Sequence, residues 1–375
     1  MKIAILTLPL HTNYGGILQA YALQTVLQRM GHQVEILQKE GGNRRSPLIM
    51  PLVYGKRMAY KILRDWNSSV LLERKQRREA PVIRQYVNQF MHSYLNLRVI
   101  DSLKEISPSD YDAIVVGSDQ IWRRPYFRGM WGAPMKDAFL DFTAGWNIKR
   151  IAYAASFGID NLDEYSSGEI MACRKAIQNF DAVSVREDSG VSICKDKFGM
   201  DATHVLDPTM LLNAEDYIRL VESSVVEKSP GDMLCYILDP SQYKSEIISK
   251  IADKEGLTPF NVSAEVDNMK LAAKKRIQPP IEAWLRGFMD AKFVVTDSFH
   301  ACVFSIIFGK PFIAIGNPGR GMDRFTSLLK MFGLEDRLLD SAKTLALFDI
   351  AEINWSNINY KSYALRSSSI RKLIL

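Results

Sequence analysis

Short apolar runs alternate with helix-like segments along the chain. The first run, KIAILT, is followed by a glycine pair, by apolar residues at helical spacing between Leu18 and Met30, and then by the run HQVEIL. This alternation predicts parallel β-strands joined by helices. The runs YDAIVVGS, RIAYAAS and AVSVRE continue the series, so the first part of the chain predicts a doubly wound α/β sheet. Between the first two of these runs, residues 119–149 are rich in aromatic residues, Gly and Pro, and are expected to form a long functional loop.

A second alternating series follows, with the strand-like runs MLCYILD, TPFNVS, KFVVTDS and FIAIGN. Helices are predicted near 241–255, near 281–290 and from about 299. Two series of this size favour an α/β fold of two Rossmann-like domains that face a cleft. We place the domains at 1–215, with a helical insertion at about 40–100, and at 230–345. The segment 346–375 adds a last helix that belongs either to the second domain or, packed back across the chain, to the first.

Composition and charge narrow the choice of function. A hydrophobic fraction of 47% and a charged fraction of 24% are typical of soluble globular proteins, and no apolar run is long enough to span a bilayer. The four cysteines and five histidines are scattered, so we expect no metal site and no disulfide framework. These features favour a cytoplasmic protein.

The charge is uneven along the chain. Residues 44–98 carry twelve Lys or Arg against three acidic residues, so this segment holds +9 of a chain whose net charge is +6. A solvated helical surface would explain the charge. Alternatively, the apolar residues interleaved in PLIMPLVYGKRMAYKIL suit an interfacial helix on an anionic membrane. No nucleic-acid-binding motif accompanies the segment, so nucleic acid is not expected as a partner.

The residues that follow each predicted strand carry the candidate chemistry, because ligands of open α/β sheets bind beyond the carboxyl ends of the strands. After the first strand, Asn13 and Tyr14 lead into Gly15 and Gly16 at a helix start, and Gln19 follows about one turn later. Exposed N–H groups at a helix start favour an anion or a polar ligand. We assign these five residues to the binding of an acceptor substrate. A Gly-rich turn without a ligand would show the same pattern.

Two further strand ends carry polar side chains. In IVVGSDQIWR, Asp119 is a candidate base and the Trp122 ring could stack on a sugar, although a simple helix cap would also explain the stretch. In AVSVREDSG, Arg186 could bind a carboxylate or phosphate through two parallel hydrogen bonds. The alternative is a salt bridge from Arg186 to Glu187, Asp188 or Asp207.

The stretch VVTDSFHACVF places His300 at a helix start that follows a strand. The helix dipole lowers the pKa of an imidazole there, and a bound anion would raise it again. The position therefore suits a proton donor that works only when an anionic ligand is present. A capped helix with a structural histidine is the alternative.

Several ordered segments together make the chain resemble the polysaccharide pyruvyl transferase family: NYGGILQAYAL, VVGSDQIW, AYAASFG, SVREDSG, VLDPTMLL, TDSFHACVFSIIFGKPF and RFTSLL. The resemblance covers roughly residues 1–335. It implies a fold like that of the GT-B glycosyltransferases. It also implies transfer of a pyruvyl group from phosphoenolpyruvate to two hydroxyls of one sugar, which forms a ketal on a bacterial capsular or other cell-surface glycan.

The resemblance also implies roles for individual residues. The family's histidine falls on His300, as the acid toward the donor's methylene carbon, and its arginine falls on Arg186, as a ligand of the donor's anion. A family lysine falls on or near Arg320. Many members carry an arginine where this chain has Ser298, so Lys310 or Arg324 would replace that charge; both are expected at the donor.

The implied reaction uses phosphoenolpyruvate as a substrate and needs no cofactor or metal. Its acceptor would be a glycan or a lipid-linked oligosaccharide, and the basic segment 44–98 would hold the enzyme at the inner membrane face. Two other functions remain open: a GT-B glycosyltransferase that uses a nucleotide sugar, and a non-catalytic binding protein of a glycan-assembly complex.

Overall fold

The computed structural model describes residues 1–39, 50–63, 72–316, 321–339 and 352–373. Within these ranges the strands are β1 (Lys2–Leu6), β2 (Gln33–Gln38), β3 (Leu97–Val99), β4 (Ala113–Val116), β5 (Lys149–Ala155), β6 (Ala182–Val185), β7 (Thr203–His204), β8 (Met233–Tyr236), β9 (Pro259–Phe260), β10 (Phe293–Thr296), β11 (Phe312–Ile315) and β12 (Leu338–Leu339).

The α-helices of the same ranges connect these strands and cover both sheets. They are α1 (Tyr14–Arg29), α2 (Met50–Leu63), α3 (Leu72–Ile83), α4 (Gln85–Tyr94), α5 (Arg124–Trp131), α6 (Ser167–Ile177), α7 (Asp188–Ile193), α8 (Ala214–Glu222), α9 (Gln242–Glu255), α10 (Ile281–Asp290), α11 (Phe299–Ile307), α12 (Asp323–Phe332) and α13 (Trp355–Arg371). No described helix is long and apolar enough to cross a membrane.

The strands form two parallel sheets. The first has the order β3-β2-β1-β4-β5-β6-β7 and the second the order β12-β11-β10-β8-β9. Helices cover both faces, which is why strands such as β4 and β10 read as continuous apolar runs and are fully buried. The predicted α/β fold of two Rossmann-like domains facing a cleft is confirmed.

All strands of a sheet run in the same direction, but the order in which the chain adds them reverses at one pair, between β1 and β4 in the first sheet and between β8 and β10 in the second. In such sheets a crevice opens beyond the carboxyl ends of the strands at this reversal. The loops after β1, β4, β8 and β10 all line one cleft between the two sheets. The fold therefore brings the residues that follow these strands together.

The stretch 119–149, predicted to be a long functional loop, instead forms α5 and two short 3-10 turns. Its aromatic side chains are buried: Trp122, Phe127 and Phe139 are fully buried and Trp131 is 2% exposed. Trp122 stacks on Phe139 with ring centroids 4.7 Å apart. The prediction was wrong because these large rings gain more from packing on one another than from exposure in a loop.

Two segments tie the domains together. Residues 261–280, which we call the strap, leave the second sheet after β9 and reach the insertion of the first domain, where Arg276 pairs with Glu79 at 2.8 Å. The last helix, α13, contacts the segment that follows β7, since the Ser369 hydroxyl accepts a hydrogen bond from the Leu206 N–H at 3.1 Å. Both links hold the walls of the cleft in place.

Candidate active site

The amino-terminal ends of α1 and α11 meet in the cleft, which has a volume of about 610 Å³. Gly15, in the first turn of α1, packs directly on the imidazole of His300, in the first turn of α11. A Cβ on Gly15 would lie 2.1 Å from Cγ and Nδ1 of that ring. Only glycine fits this approach, and the two helix starts direct partial positive charge toward the same point.

A buried network of charges lies beside His300. Arg186 donates from Nη1 to the Asp207 carboxylate at 2.6 Å and from Nη2 to the Asp119 carboxylate at 3.2 Å. Nε2 of His300 is 3.7 Å from the same Asp207 oxygen. All four side chains are at most 8% exposed. Removing one member would leave a buried charge uncompensated, so these groups position one another.

A second guanidinium, that of Arg324 in α12, stands on the cleft side of this network. The guanidinium carbons of Arg186 and Arg324 lie 4.6 and 5.3 Å from the ring centroid of Phe299. Burial and the neighbouring Arg186 lower the pKa of Arg324 to about 10, which still leaves it cationic at neutral pH. The two arginines balance Asp119 and Asp207, and an anion in the cleft would meet Arg324 and the two helix starts.

The surroundings set the protonation of the network. Burial lowers the pKa of His300 to about 4, and Arg186 and Arg324 act in the same direction, against Asp207 and Asp119. Burial alone would raise the pKa of both aspartates, but the cations outweigh it and hold both pKa values below the usual range. His300 with this pKa is neutral at pH 7, and a bound anion would raise its pKa.

Asp119 has a left-handed backbone, with φ at 57°, which is uncommon for a residue other than glycine. Its side chain also lies 3.4 Å from the Asn13 amide nitrogen, a donor on the start of α1. Backbone conformations of this kind cluster at functional sites. The structure thus brings together His300, Asp119, Arg186 and Arg324, four residues that the sequence predicted at the site.

The predicted acceptor residues divide into two groups. Asn13 and Gly16 line the cleft, and Gly15 contacts His300. Tyr14 and Gln19 reach the cleft wall but are engaged elsewhere. The Tyr14 hydroxyl donates to the Pro279 carbonyl at 2.7 Å, and the Gln19 side chain bonds Thr7, the Gly16 carbonyl and the Ser118 N–H. These two side chains hold the loop in place rather than offering a free group.

Two predicted contacts lie away from the cluster. Trp122 is fully buried and its indole N–H donates to the Ala138 carbonyl at 3.0 Å, so the expectation that its ring stacks on a sugar was wrong. Lys310 precedes β11 and donates to the Met289 carbonyl at 2.9 Å. It therefore lies at the amino-terminal edge of the second sheet, opposite the cleft, and cannot replace the missing arginine.

The remaining donor-side predictions have different outcomes. Ser298 lines the cleft, and its N–H bonds the hydroxyl of Thr296 at 3.0 Å. Arg320 lies outside the described residues. Arg186 is paired with Asp207, which was one of the alternatives for this residue, so its direct contact with a donor stays a prediction.

Sequence reasoning missed the central position of Asp207. This residue follows β7 and accepts hydrogen bonds from Arg186 and from both the N–H and the hydroxyl of Thr209. A strand of two residues gives no periodic signal, so Asp207 appeared only as one of three partners for the arginine. The Asp-Pro pair at the start of a short helical turn was the one local signal available.

The outer wall of the cleft was also not predicted. It is formed by the strap on one side and by the loop after β1 and helix α5 on the other; its residues include His11, Tyr126, Glu265, Asp267 and Gln278. None of these residues directly follows a predicted strand, so a search of the residues at the strand ends did not find them. The described residues contain no group of three or more His, Cys, Asp or Glu that could hold a metal ion.

Solved structures resemble this chain in fold, and one family model matches its sequence. No curated protein matches it. Among solved structures it is similar to UDP-GlcNAc 2-epimerase from Methanocaldococcus jannaschii, with 12% identity, a TM-score of 0.43 and coverage of 98% of this chain and 93% of that chain. The Neisseria meningitidis UDP-GlcNAc 2-epimerase bound to UDP-GlcNAc gives 10% identity, a TM-score of 0.45 and coverage of 100% and 94%.

A third similar structure is Arabidopsis thaliana UGT89C1 complexed with UDP-L-rhamnose, with 9% identity, a TM-score of 0.48 and coverage of 100% of this chain and 99% of that chain. The family model described as polysaccharide pyruvyl transferase matches residues 13–319. That match begins at Asn13, directly before α1, and includes the Asp119 and Arg186 strand ends and the whole of α11. The chain belongs to the polysaccharide pyruvyl transferase family.

Proposed function

We propose that the protein transfers a pyruvyl group from phosphoenolpyruvate to two hydroxyls of one sugar in a cell-surface polysaccharide or its lipid-linked precursor. The observation that carries the proposal is the meeting of two helix starts on His300, beside the buried cation Arg324. An anionic donor suits this point, because helix N–H groups and a guanidinium both bind carboxylate and phosphate. The family match supports the same reaction class.

In the proposed reaction, His300 gives a proton to the methylene carbon of phosphoenolpyruvate and the electron pair of the C=C bond forms the new C–H bond. The oxocarbenium ion that results is attacked by a first sugar hydroxyl. A second hydroxyl of the same sugar then displaces phosphate and closes the ketal. Of the two hydroxyl protons, one returns to His300 and the other leaves with phosphate, so the site is restored.

Asp119 is the candidate base that accepts each hydroxyl proton first and passes it on to His300 or to the leaving phosphate, since its side chain lies in the cleft. Asp207 lies 3.7 Å from Nε2 of His300 and would stabilise the protonated imidazole. A positioned acid of this kind contributes roughly 10²–10⁴-fold to a rate. Phosphoenolpyruvate is a substrate here, and the proposal calls for no further cofactor.

Transfer from a nucleotide sugar is the competing reaction. At the reversal of the second sheet, the buried Asp297 accepts from the Leu238 and Asp239 N–H groups and pairs with Lys244 at 2.6 Å. This carboxylate occupies the N–H groups beyond β8 that a diphosphate at this reversal would otherwise contact. These contacts favour the phosphoenolpyruvate proposal over a nucleotide donor.

Thermal unfolding with different donors tests the proposal. Phosphoenolpyruvate should raise the unfolding temperature of the wild type, and UDP- and GDP-sugars should not. His300→Gln should keep binding the donor but release no phosphate when a sugar acceptor is added. Stabilisation by a nucleotide sugar alone would point to the competing reaction, and stabilisation by no donor would favour a non-catalytic binding protein.

We also propose that the basic insertion contacts an anionic membrane at its inner face. Helix α2 exposes Leu52 and Met58, which are 75% and 50% exposed, and α3 exposes Arg74, Arg77 and Arg78. Exposed apolar side chains close to basic residues suit the interface of a bilayer. Other cations of the segment are occupied within the protein, such as Arg57 with Glu73 at 2.6 Å.

Flotation with anionic liposomes tests the membrane contact. The wild type should float with vesicles that contain anionic lipid and should be released by salt, because each basic residue near the surface adds about 1 kcal/mol. The triple change R74Q/R77Q/R78Q should abolish flotation. The matched triple K228Q/K250Q/K254Q, which removes three exposed lysines elsewhere, should float as the wild type does. Equal flotation of both triples would refute the contact.

A further inference from the structure

The outer wall of the cleft contains a buried acceptor without a partner. Gln278 is 4% exposed, and both its main chain and its side chain are held by hydrogen bonds. Its main-chain N–H donates to the Ile83 carbonyl at 2.9 Å, and its Nε2 donates to the Thr12 carbonyl at 2.5 Å. Its Oε1 is buried and receives no hydrogen bond within the described ranges. A buried acceptor left unsatisfied is costly, so this atom suits a ligand that donates a hydrogen bond.

The strap adds further acceptors to the same wall. Glu265 and Asp267 line the cleft, and both side chains are exposed. Among the described residues, no lysine or arginine forms a salt bridge with either carboxylate. Carboxylates only accept hydrogen bonds, so this wall offers acceptors and negative charge. A ligand here should therefore be rich in hydroxyl donors and should carry no negative charge of its own.

Across the cleft, His11 supplies a donor. Its Nδ1 lies 3.2 Å from Nη1 of Arg84, and because arginine can only donate, Nδ1 accepts and the proton sits on Nε2. Burial and Arg84 lower the pKa of His11 to about 4, so the ring is neutral at pH 7. Tyr126 brings an aromatic ring to the same wall, where the apolar face of a pyranose can pack.

We propose that His11, Tyr126, Glu265, Asp267 and Gln278 form the acceptor subsite and that it selects an uncharged sugar over an acidic one. This inference rests on the proposed function for its place in the reaction, but it concerns sugar binding alone. Hydroxyls of a neutral sugar donate to the Gln278 Oε1 and to the two carboxylates. A uronic acid in the same place meets both carboxylates of the strap, which repel it.

Binding of p-nitrophenyl glycosides, measured by calorimetry and saturation-transfer NMR, tests the proposal. The probes are the neutral glucoside, galactoside and mannoside, together with the glucuronide. The wild type should bind at least one neutral glycoside at least tenfold more tightly than the glucuronide. Gln278→Ala should weaken that neutral binding at least tenfold, and E265Q/D267N should narrow the gap to the glucuronide. The matched double D253N/E255Q, on the exposed surface of α9, should leave the gap unchanged.

Three results would overturn the subsite: glucuronide binding as tight as neutral binding, no binding of any glycoside, or full neutral binding by Gln278→Ala. Stabilisation by phosphoenolpyruvate is measured on every variant and separates the two proposals. Glycoside selectivity without donor binding would sink the proposed reaction and leave the subsite. A Gln278→Ala variant that loses donor stabilisation as well would show that the residue only holds the domains together, which also overturns its assignment.

Discussion

Gly15 occupies a position where a single methyl group would disturb His300. In Gly15→Ala the new Cβ would lie 2.1 Å from two atoms of the imidazole, whereas ordinary contacts begin at 3.4 Å. The ring must therefore move by about 1.3 Å or α1 must shift by a similar distance. A displacement of about 1 Å at a reacting group can lower a rate roughly 100-fold. We expect kcat for phosphate release from phosphoenolpyruvate to fall by about that factor.

Overpacking also affects stability, so the assay separates the two effects. Inserting a methyl into a packed site costs roughly 1–3 kcal/mol of unfolding free energy, which urea titration measures. Activity is then compared well below the unfolding temperature of each variant. The control is Gly129→Ala in α5, where a Cβ meets nothing within 4 Å and the change should stabilise the protein by roughly 0.5–1 kcal/mol. A Gly15→Ala variant that is folded and keeps kcat within about threefold of the wild type would refute the reasoning.

Three further predictions follow from the charged network. Because the pKa of His300 is about 4 in the folded protein against 6.5 unfolded, the unfolded chain binds more protons between these values, and unfolding free energy should fall as pH drops through that window. Between pH 7 and pH 4, the unfolding free energy of His300→Gln should fall by on the order of 3 kcal/mol less than that of the wild type, as measured by urea titration. Asp207→Asn should lower the unfolding free energy by roughly 3–5 kcal/mol in the same titration, because it breaks a buried pair. Asp201→Asn, in an exposed pair, should lower it by at most about 1 kcal/mol. Equal losses would contradict the network. Arg324→Gln should weaken phosphoenolpyruvate binding in a thermal shift and Lys310→Gln should not, and the reverse result would contradict the placement of the donor.

Much of the fold was predictable because the strands are buried on both faces. The run at β4 is apolar throughout, and the runs at β1 and β10 are apolar except for Lys2 and Thr296 at their ends, so composition and length identify them. The strands β7 and β12 have two residues each and leave no pattern. They form because the neighbouring strands β6 and β11 offer an edge to pair with, which is tertiary information.

The centre of the site was predictable for the same reason. His300, Asp119 and Arg186 each follow a strand whose carboxyl end faces the cleft, so their convergence follows from topology. Lys310 precedes its strand instead of following it, and the same rule places it at the opposite edge. The prediction that Lys310 contacts the donor relied on its closeness to His300 along the sequence and did not consider the direction of the strand.

The outer wall could not be found in this way. Gln278 lies on the strap, which has little regular structure, and it reaches the cleft only because Arg276 and its neighbours attach the strap to the first domain. Trp122 follows a strand end, as the rule requires, but its side chain turns into the aromatic core around Phe139. Which way a side chain turns after a strand depends on packing that a strand-end pattern does not contain.

Transfer in heavy water tests the central claim most directly. The wild type is incubated in D₂O with phosphoenolpyruvate and a neutral glycoside that it binds, and the product is examined by NMR and mass spectrometry. The account predicts a pyruvate ketal whose methyl group carries one solvent-derived deuteron, one phosphate released per ketal, and neither product from His300→Gln. A ketal methyl without deuterium, or unchanged turnover by His300→Gln, would contradict it.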